Sequence, residues 1–134
     1  MQSPQVFVVG PLDPEWRRVR DVVLHALEEN GFEVRYSDAI HPGAVRAASV
    51  LDGIRKADLI IADVTGPNPN VLVELGFAQA LRKPTILLVS IKSGAGLPGD
   101  LAGLQYIIYD PASLRALAGT VKAETEAFLL RRSA

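Results

Sequence analysis

Short β-branched runs alternating with amphipathic stretches, joined by brief connections marked by glycine and proline, predict a single α/β domain on a doubly wound parallel sheet. Two further observations support that class. The run at 58–64 (DLIIADV) is almost continuously apolar, as a strand covered on both faces must be. The chain has 134 residues, 49% of them apolar and none of them cysteine. That length suits one domain able to bury about two-thirds of its unfolded surface without disulfide staples.

Each element has its own local signal. Residues 5–10 (QVFVVG) read as the first strand, closed by Pro11. Asp13 followed by Pro14, Glu15 and Trp16 is the arrangement of an N-cap, a proline at N1 and an acid in the first turn. Trp16, Val19, Val22, Val23, Ala26 and Leu27 then recur at helical spacing until Asn30-Gly31 stops them. A second strand is expected at 32–36, a loop at 37–43 and a second helix at 44–56 with a basic end. After the third strand, residues 65–70 (TGPNPN) must be loop, because two prolines and a glycine suit neither helix nor ladder. Asn70 is expected to cap a third helix over 71–82, with Glu74 at N4. Residues 84–90 (PTILLVS) and 104–109 (LQYIIY) supply strands four and five around a Gly-rich loop at 93–99, and 112–131 reads as a terminal helix. Right-handed crossovers between five such strands favour a flavodoxin-like order 2-1-3-4-5, with residues 1–134 as one domain. Ligands on such sheets bind beyond the carboxyl ends of the strands, so the loops at 10–13, 64–70 and 90–99 should frame the site.

Composition narrows the function. Fourteen Lys+Arg against 15 Asp+Glu give a net charge of −1, no footprint for duplex nucleic acid or an anionic membrane. Without cysteine there is no thiol nucleophile or thiolate metal site, and two histidines cannot make a three-histidine zinc centre. No metal or organic cofactor is expected. No apolar run approaches the ~20 residues of a membrane helix, and the N-terminus lacks the basic region of a signal peptide. A soluble, cytoplasmic protein is the expectation.

The loop after the third strand concentrates the reactive groups: Asp63 near the strand end, Thr65 beyond it, then Asn68, Asn70 and Glu74. A carboxylate on the first turn of a helix lies near free backbone N–H groups and the positive end of the dipole, which keeps it ionised. An oriented carboxylate facing a cleft is what covalent or electrostatic catalysis at a sugar's anomeric carbon requires. The same positions also serve plain structure, since acids stabilise first turns, asparagines cap helices and strand-end aspartates fasten loops.

The stretch ADLIIADVTG at 57–66, the block Asn68-Pro69-Asn70-Val71-x-x-Glu74-Leu75-Gly76, and Ala78-x-Ala80-Leu81-x-Lys83-Pro84 together resemble the nucleoside 2-deoxyribosyltransferase-like superfamily. That group includes deoxyribosyltransferases, 2′-deoxynucleoside 5′-phosphate N-hydrolases and cytidine monophosphate hydrolases. Residues 8–13 (VVGPLD) and the Leu97-Pro98-x-Asp100-Leu101-x-Gly103-Leu104 segment extend the likeness more weakly to the rest of the chain. The resemblance implies cleavage or transfer at an N-glycosidic bond of a nucleoside or nucleotide, with Glu74 as the nucleophile at C1′. It places Asn68 near the sugar or its 5′ substituent, and Gly10, Pro11 and Leu12 beside the base or sugar. Asp63, Asn70 and Ser90 complete the candidate set. It also implies a homodimer or homotetramer whose copies complete each other's pockets.

Two departures stand out. The family's acid for the leaving base lies eight positions before the aspartate that opens strand three, and here that position is Val50. Asp52, two residues along a helix, points roughly 200° away. The first loop also lacks the Gly-Ser-x-x-x-Gly pattern of the phosphate-binding hydrolases. Asp63 and Asp13 are the acids left for the task; the alternative is a nucleotide-binding or signalling module, similar to Toll/interleukin-receptor-like domains, with little or no catalysis. His41 could serve as an acid but reads more simply as a solvated loop residue, and His25 as a structural or surface residue of the first helix. The 93–96 loop (SGAG) lacks a Walker ending and reads as a flexible lid. Trp16 and Phe77 fit core or interface positions, and Arg17, Arg18 and Arg20 a solvated helix face.

Overall fold

A computed structural model describes residues 2–11, 13–36, 43–66, 68–92 and 104–133. Five strands, β1 (Gln5–Val9), β2 (Glu33–Tyr36), β3 (Leu59–Asp63), β4 (Thr85–Ser90) and β5 (Gln105–Tyr109), form one sheet in the order β2-β1-β3-β4-β5. Every neighbouring pair is parallel. Four helices cover it: α1 (Pro14–Glu29), α2 (Gly43–Lys56), α3 (Pro69–Ala80) and α4 (Leu114–Ser133). The expected order and class are those observed.

The apolar runs of β1, β3 and β4 are continuous because each of these strands feeds two cores. Val6 and Val8 of β1, Leu59 and Ile61 of β3, and Ile86 and Leu88 of β4 pack with Trp16, Val19, Val23 and Leu27 of α1 and Leu117 and Val121 of α4. The alternate residues, Phe7, Ile60, Ala62 and Leu87, pack with Val50 and Ile54 of α2 and Val71, Leu75 and Ala78 of α3. Period-two alternation thus assigns every strand side chain to the α1–α4 face or the α2–α3 face. Close approach is needed on both. A Cβ at Gly53 would lie 2.1 Å from the Phe7 ring, and one at Gly10 would lie 2.1 Å from the Trp16 indole.

Caps bound the helices. Asp13 is extended, and its side chain accepts a hydrogen bond from the Trp16 N–H at 2.8 Å, with Pro14 at the start of α1 as expected. Asn30 ends α1, and its amide donates to Lys122 O at 2.8 Å and Thr125 Oγ1 at 2.9 Å, joining α1 to α4.

The third helix differs from the expectation. Its N-cap is Asn68, not Asn70, and the helix begins at Pro69. A residue before proline is pushed into extended backbone, and proline at N1 gives up an N–H that needs no partner there. Asn68 takes that extended conformation, and its Oδ1 accepts from Asn70 N–H at 2.9 Å. The helix stops at Ala80 rather than Arg82, because Arg82 turns left-handed at φ 56° and its N–H bonds to Gln79 O. The terminal helix likewise starts at Leu114, two residues after the expected start: Asp110 Oδ1 accepts from Ala112 N–H at 2.9 Å and makes that stretch a turn. Among the described residues no helix is long and apolar enough to cross a membrane.

Candidate functional site

Asp63 is the last residue of β3, and alternation turns its side chain to the α1–α4 face. Only 1% of it is exposed. Its Oδ2 accepts from the Tyr109 hydroxyl at 2.6 Å, and its Oδ1 accepts from Thr65 N–H at 2.8 Å. The Thr65 Oγ1 in turn accepts from Ser90 N–H at 2.8 Å, and Ser90 Oγ accepts from Lys92 N–H at 3.1 Å. The carboxyl ends of β3, β4 and β5 are therefore tied together by one polar chain. Burial pushes the Asp63 carboxyl up from the usual carboxylate range, and the nearby Asp13 adds to this. Donation from Thr65 and Tyr109 partly offsets the rise. Burial also pushes the Tyr109 phenol up, reinforced by the Asp63 charge.

A cleft of about 230 Å³ opens over this chain. Pro11, Asp13, Trp16, Asp63, Ser90 and Tyr109 are among its lining residues. Three sequence candidates, Pro11, Asp63 and Ser90, are thus brought together. Gly10 sits just behind them, where its missing side chain lets the Trp16 indole lie against the backbone. Leu12, His41 and the Gly-rich loop at 93–99 lie outside the described residues.

Glu74, Asn68 and Asn70 do not line that cleft. With Pro69 as the first helical residue, Glu74 falls in the second turn of α3, and no acid occupies the first. The expectation that Glu74 lies among the free N–H groups of the first turn is therefore corrected, since these end with the first four helical residues. Glu74 is half-buried, Asn68 half-buried and Asn70 exposed. Asn70 contributes its backbone N–H to the cap and not the cap itself.

No protein-family model and no curated protein matches the sequence. Solved structures do. The Clostridium botulinum CMP N-glycosidase BcmB superposes with a TM-score of 0.67 and 25% identity over 84% of this chain and 97% of its own. The chain resembles the nucleoside 2-deoxyribosyltransferase-like superfamily in fold as well as in sequence. A 2-deoxyribosyltransferase from Bacillus psychrosaccharolyticus follows with a TM-score of 0.63 and 13% identity over 87% of this chain and 95% of its own. A response-regulator receiver domain from Bacillus halodurans matches at 0.54 and 18% identity over 90% of this chain and 98% of its own, which reflects the shared fold alone.

Within this superfamily frame the departures take physical form. Val50 is 1% exposed and packs in the α2–α3 core, so nothing ionisable stands at that position. Asp52 pairs on the surface with Lys56 at 3.3 Å and Arg35 at 3.6 Å. His25 is a surface residue paired with Glu29 at 3.2 Å. The arginine face of α1 is only partly solvated as expected. Arg20 is 14% exposed and lies 4.5 Å over the Tyr36 ring, while Arg18 donates to Pro111 O at 3.2 Å. Trp16 is buried and Phe77 packs at the margin of its core. Sequence reasoning missed Tyr109 altogether. The available signal was a tyrosine as the last residue of β5, at the edge where the site was expected.

Proposed function

We propose that this chain cleaves or transfers across the N-glycosidic bond of a nucleoside or nucleotide, with Glu74 as the nucleophile. The observation that carries the reading is the placement of the Asn-Pro-Asn-Val-x-x-Glu block. It begins α3 directly beyond the carboxyl end of β3, in a fold that a CMP N-glycosidase shares over 84% of this chain and 97% of its own. In the proposed reaction the Glu74 carboxylate attacks C1′ as the C1′–N bond breaks through an oxocarbenium-like transition state. The base leaves with the electron pair and takes up a proton. Water, or a second base, then adds at C1′ and releases Glu74. Asn68 spends its Oδ1 on the helix cap, which leaves its amide N–H groups to the sugar or its 5′ substituent. Of the two acids considered for the departing base, Asp13 is exposed at the cleft, whereas both oxygens of Asp63 are engaged. Asp13 spends its Oδ1 on the cap of α1, and the proton is assigned to solvent water.

The reading includes self-association. Val73 of α3, 72% exposed, and Ile108 of β5, 61% exposed, belong to the α2–α3 side of the sheet, and a second copy is the proposed cover. Light scattering at micromolar concentration should give a dimer or tetramer; a monomer would refute it.

Chromatography for free base after incubation with CMP, deoxynucleosides, deoxynucleoside monophosphates and NAD tests the chemistry. Release by the wild type and not by Glu74→Gln is expected. Equal release by both would overturn the assignment. The buried Val50 favours a second reading, a nucleotide-binding module without turnover. Calorimetric binding of a nucleotide with no base released would establish that alternative.

A further inference from the structure

We propose that Tyr109 is a positioning residue: through Asp63 and Thr65, its hydroxyl sets where the loop after β3 lies and so where Asn68 and the helix bearing Glu74 begin. The inference rests on the proposed glycosidase reading for its kinetic consequence, though not for its geometry.

The first support is the expense of the arrangement. Tyr109 is 7% exposed and belongs to the α1–α4 core, where a phenylalanine would fill the same space. A buried hydroxyl costs free energy unless it is bonded, and this one is bonded to a carboxylate that is itself buried. Such a pair is expensive to keep in a core unless its geometry is used.

The second support is connectivity. The Asp63 Oδ1 holds Thr65 N–H, and Thr65 Oγ1 holds Ser90 N–H. One residue is thereby fixed to β3 and β4 at once, and to β5 through Tyr109. The neighbouring Val64 N–H bonds to Leu88 O at 3.0 Å, which pins the preceding step. Only two residues separate Thr65 from the cap residue Asn68. At roughly 3.3–3.6 Å of reach per residue, the position of Thr65 bounds where α3 can start. Tyr109 lines the cleft beside Asp63 and Ser90, and its hydroxyl is spent on Asp63. It acts through Asp63.

Three variants of the full chain test this: Tyr109→Phe, Thr65→Val and Thr65→Ser. With CMP or whichever nucleotide the wild type cleaves, Tyr109→Phe and Thr65→Val should lose roughly 10- to 100-fold in kcat, as misplaced catalytic groups do. KM should rise as well, because Asn68, assigned to the sugar or its 5′ substituent, moves with the same loop. Thr65→Ser, which keeps the acceptor, should restore most of the rate. Hydrogen exchange supplies a second readout independent of turnover. The Thr65 and Asn70 amides should exchange at least about tenfold faster in Tyr109→Phe, while those of Ile60 and Ile61 inside β3 stay protected. An active wild type with kcat unchanged in Tyr109→Phe overturns the proposal. So does Thr65→Ser matching Thr65→Val, the pattern of a merely structural loss. A wild type that releases no base from any substrate defeats the glycosidase reading instead, and exchange then decides alone: unaltered Thr65 and Asn70 amides overturn the positioning role.

Discussion

Asp63 and Glu74 are carboxylates eleven positions apart in one segment, yet the fold treats them in opposite ways. On the α1–α4 face, Asp63 is sealed, accepts two hydrogen bonds, and has its proton affinity raised by burial. On the other side, Glu74 is half-buried on the second turn of α3, away from the Asp63 cleft. The difference teaches that two acids near one strand end can be given opposite surroundings by the faces they take. In the proposed scheme the Asp63 lone pairs are spent on the loop, and Glu74 depends on that loop through the start of α3.

The largest effect that would break this contrast is at Glu74. Glu74→Gln is expected to lower base release by roughly 10³-fold or more, while the chain stays folded. Parallel turnover assays and thermal melts check both halves. The opposite profile is expected at Gly10→Ala, on the sealed side. A methyl group aimed at the Trp16 indole at 2.1 Å must shift that ring, at about 1–3 kcal/mol by denaturant melt. Loss of rate with no loss of stability there would erase the distinction between the two sides.

A smaller effect sharpens the electrostatics. Asp63 has a folded-state proton affinity above its unfolded value, so its contribution to stability is full below the ordinary carboxylate range near about 4 and is lost as pH rises through the elevated folded value. Asp63→Asn removes that titration and keeps an acceptor for Thr65 N–H. The melting temperature of the variant minus that of the wild type should therefore increase from pH 4 to pH 7; a flat difference would contradict the assigned burial. The smallest effect belongs to Asp52→Ala. An exposed pair with Lys56 and Arg35 is worth about 0–1 kcal/mol, and turnover should be untouched. A large loss of rate would mean that Asp52 supplies the acid missing at Val50.

The sequence by itself determined the class and the strand order, because these follow from local signals: period two against period 3.6, prolines and glycines at the breaks, and short right-handed connections. Even the displaced start of α3 was legible in Asn68-Pro69, had the proline at N1 been weighed as it was at Pro14. Only the tertiary structure decided that Tyr109, 46 residues from Asp63, meets its carboxylate, that Gly10 seats an indole, and that Arg20 folds over Tyr36 instead of into solvent. Spacing along a chain reports which face a side chain takes. It does not report which partner waits there, because that depends on how strands far apart in sequence are brought edge to edge.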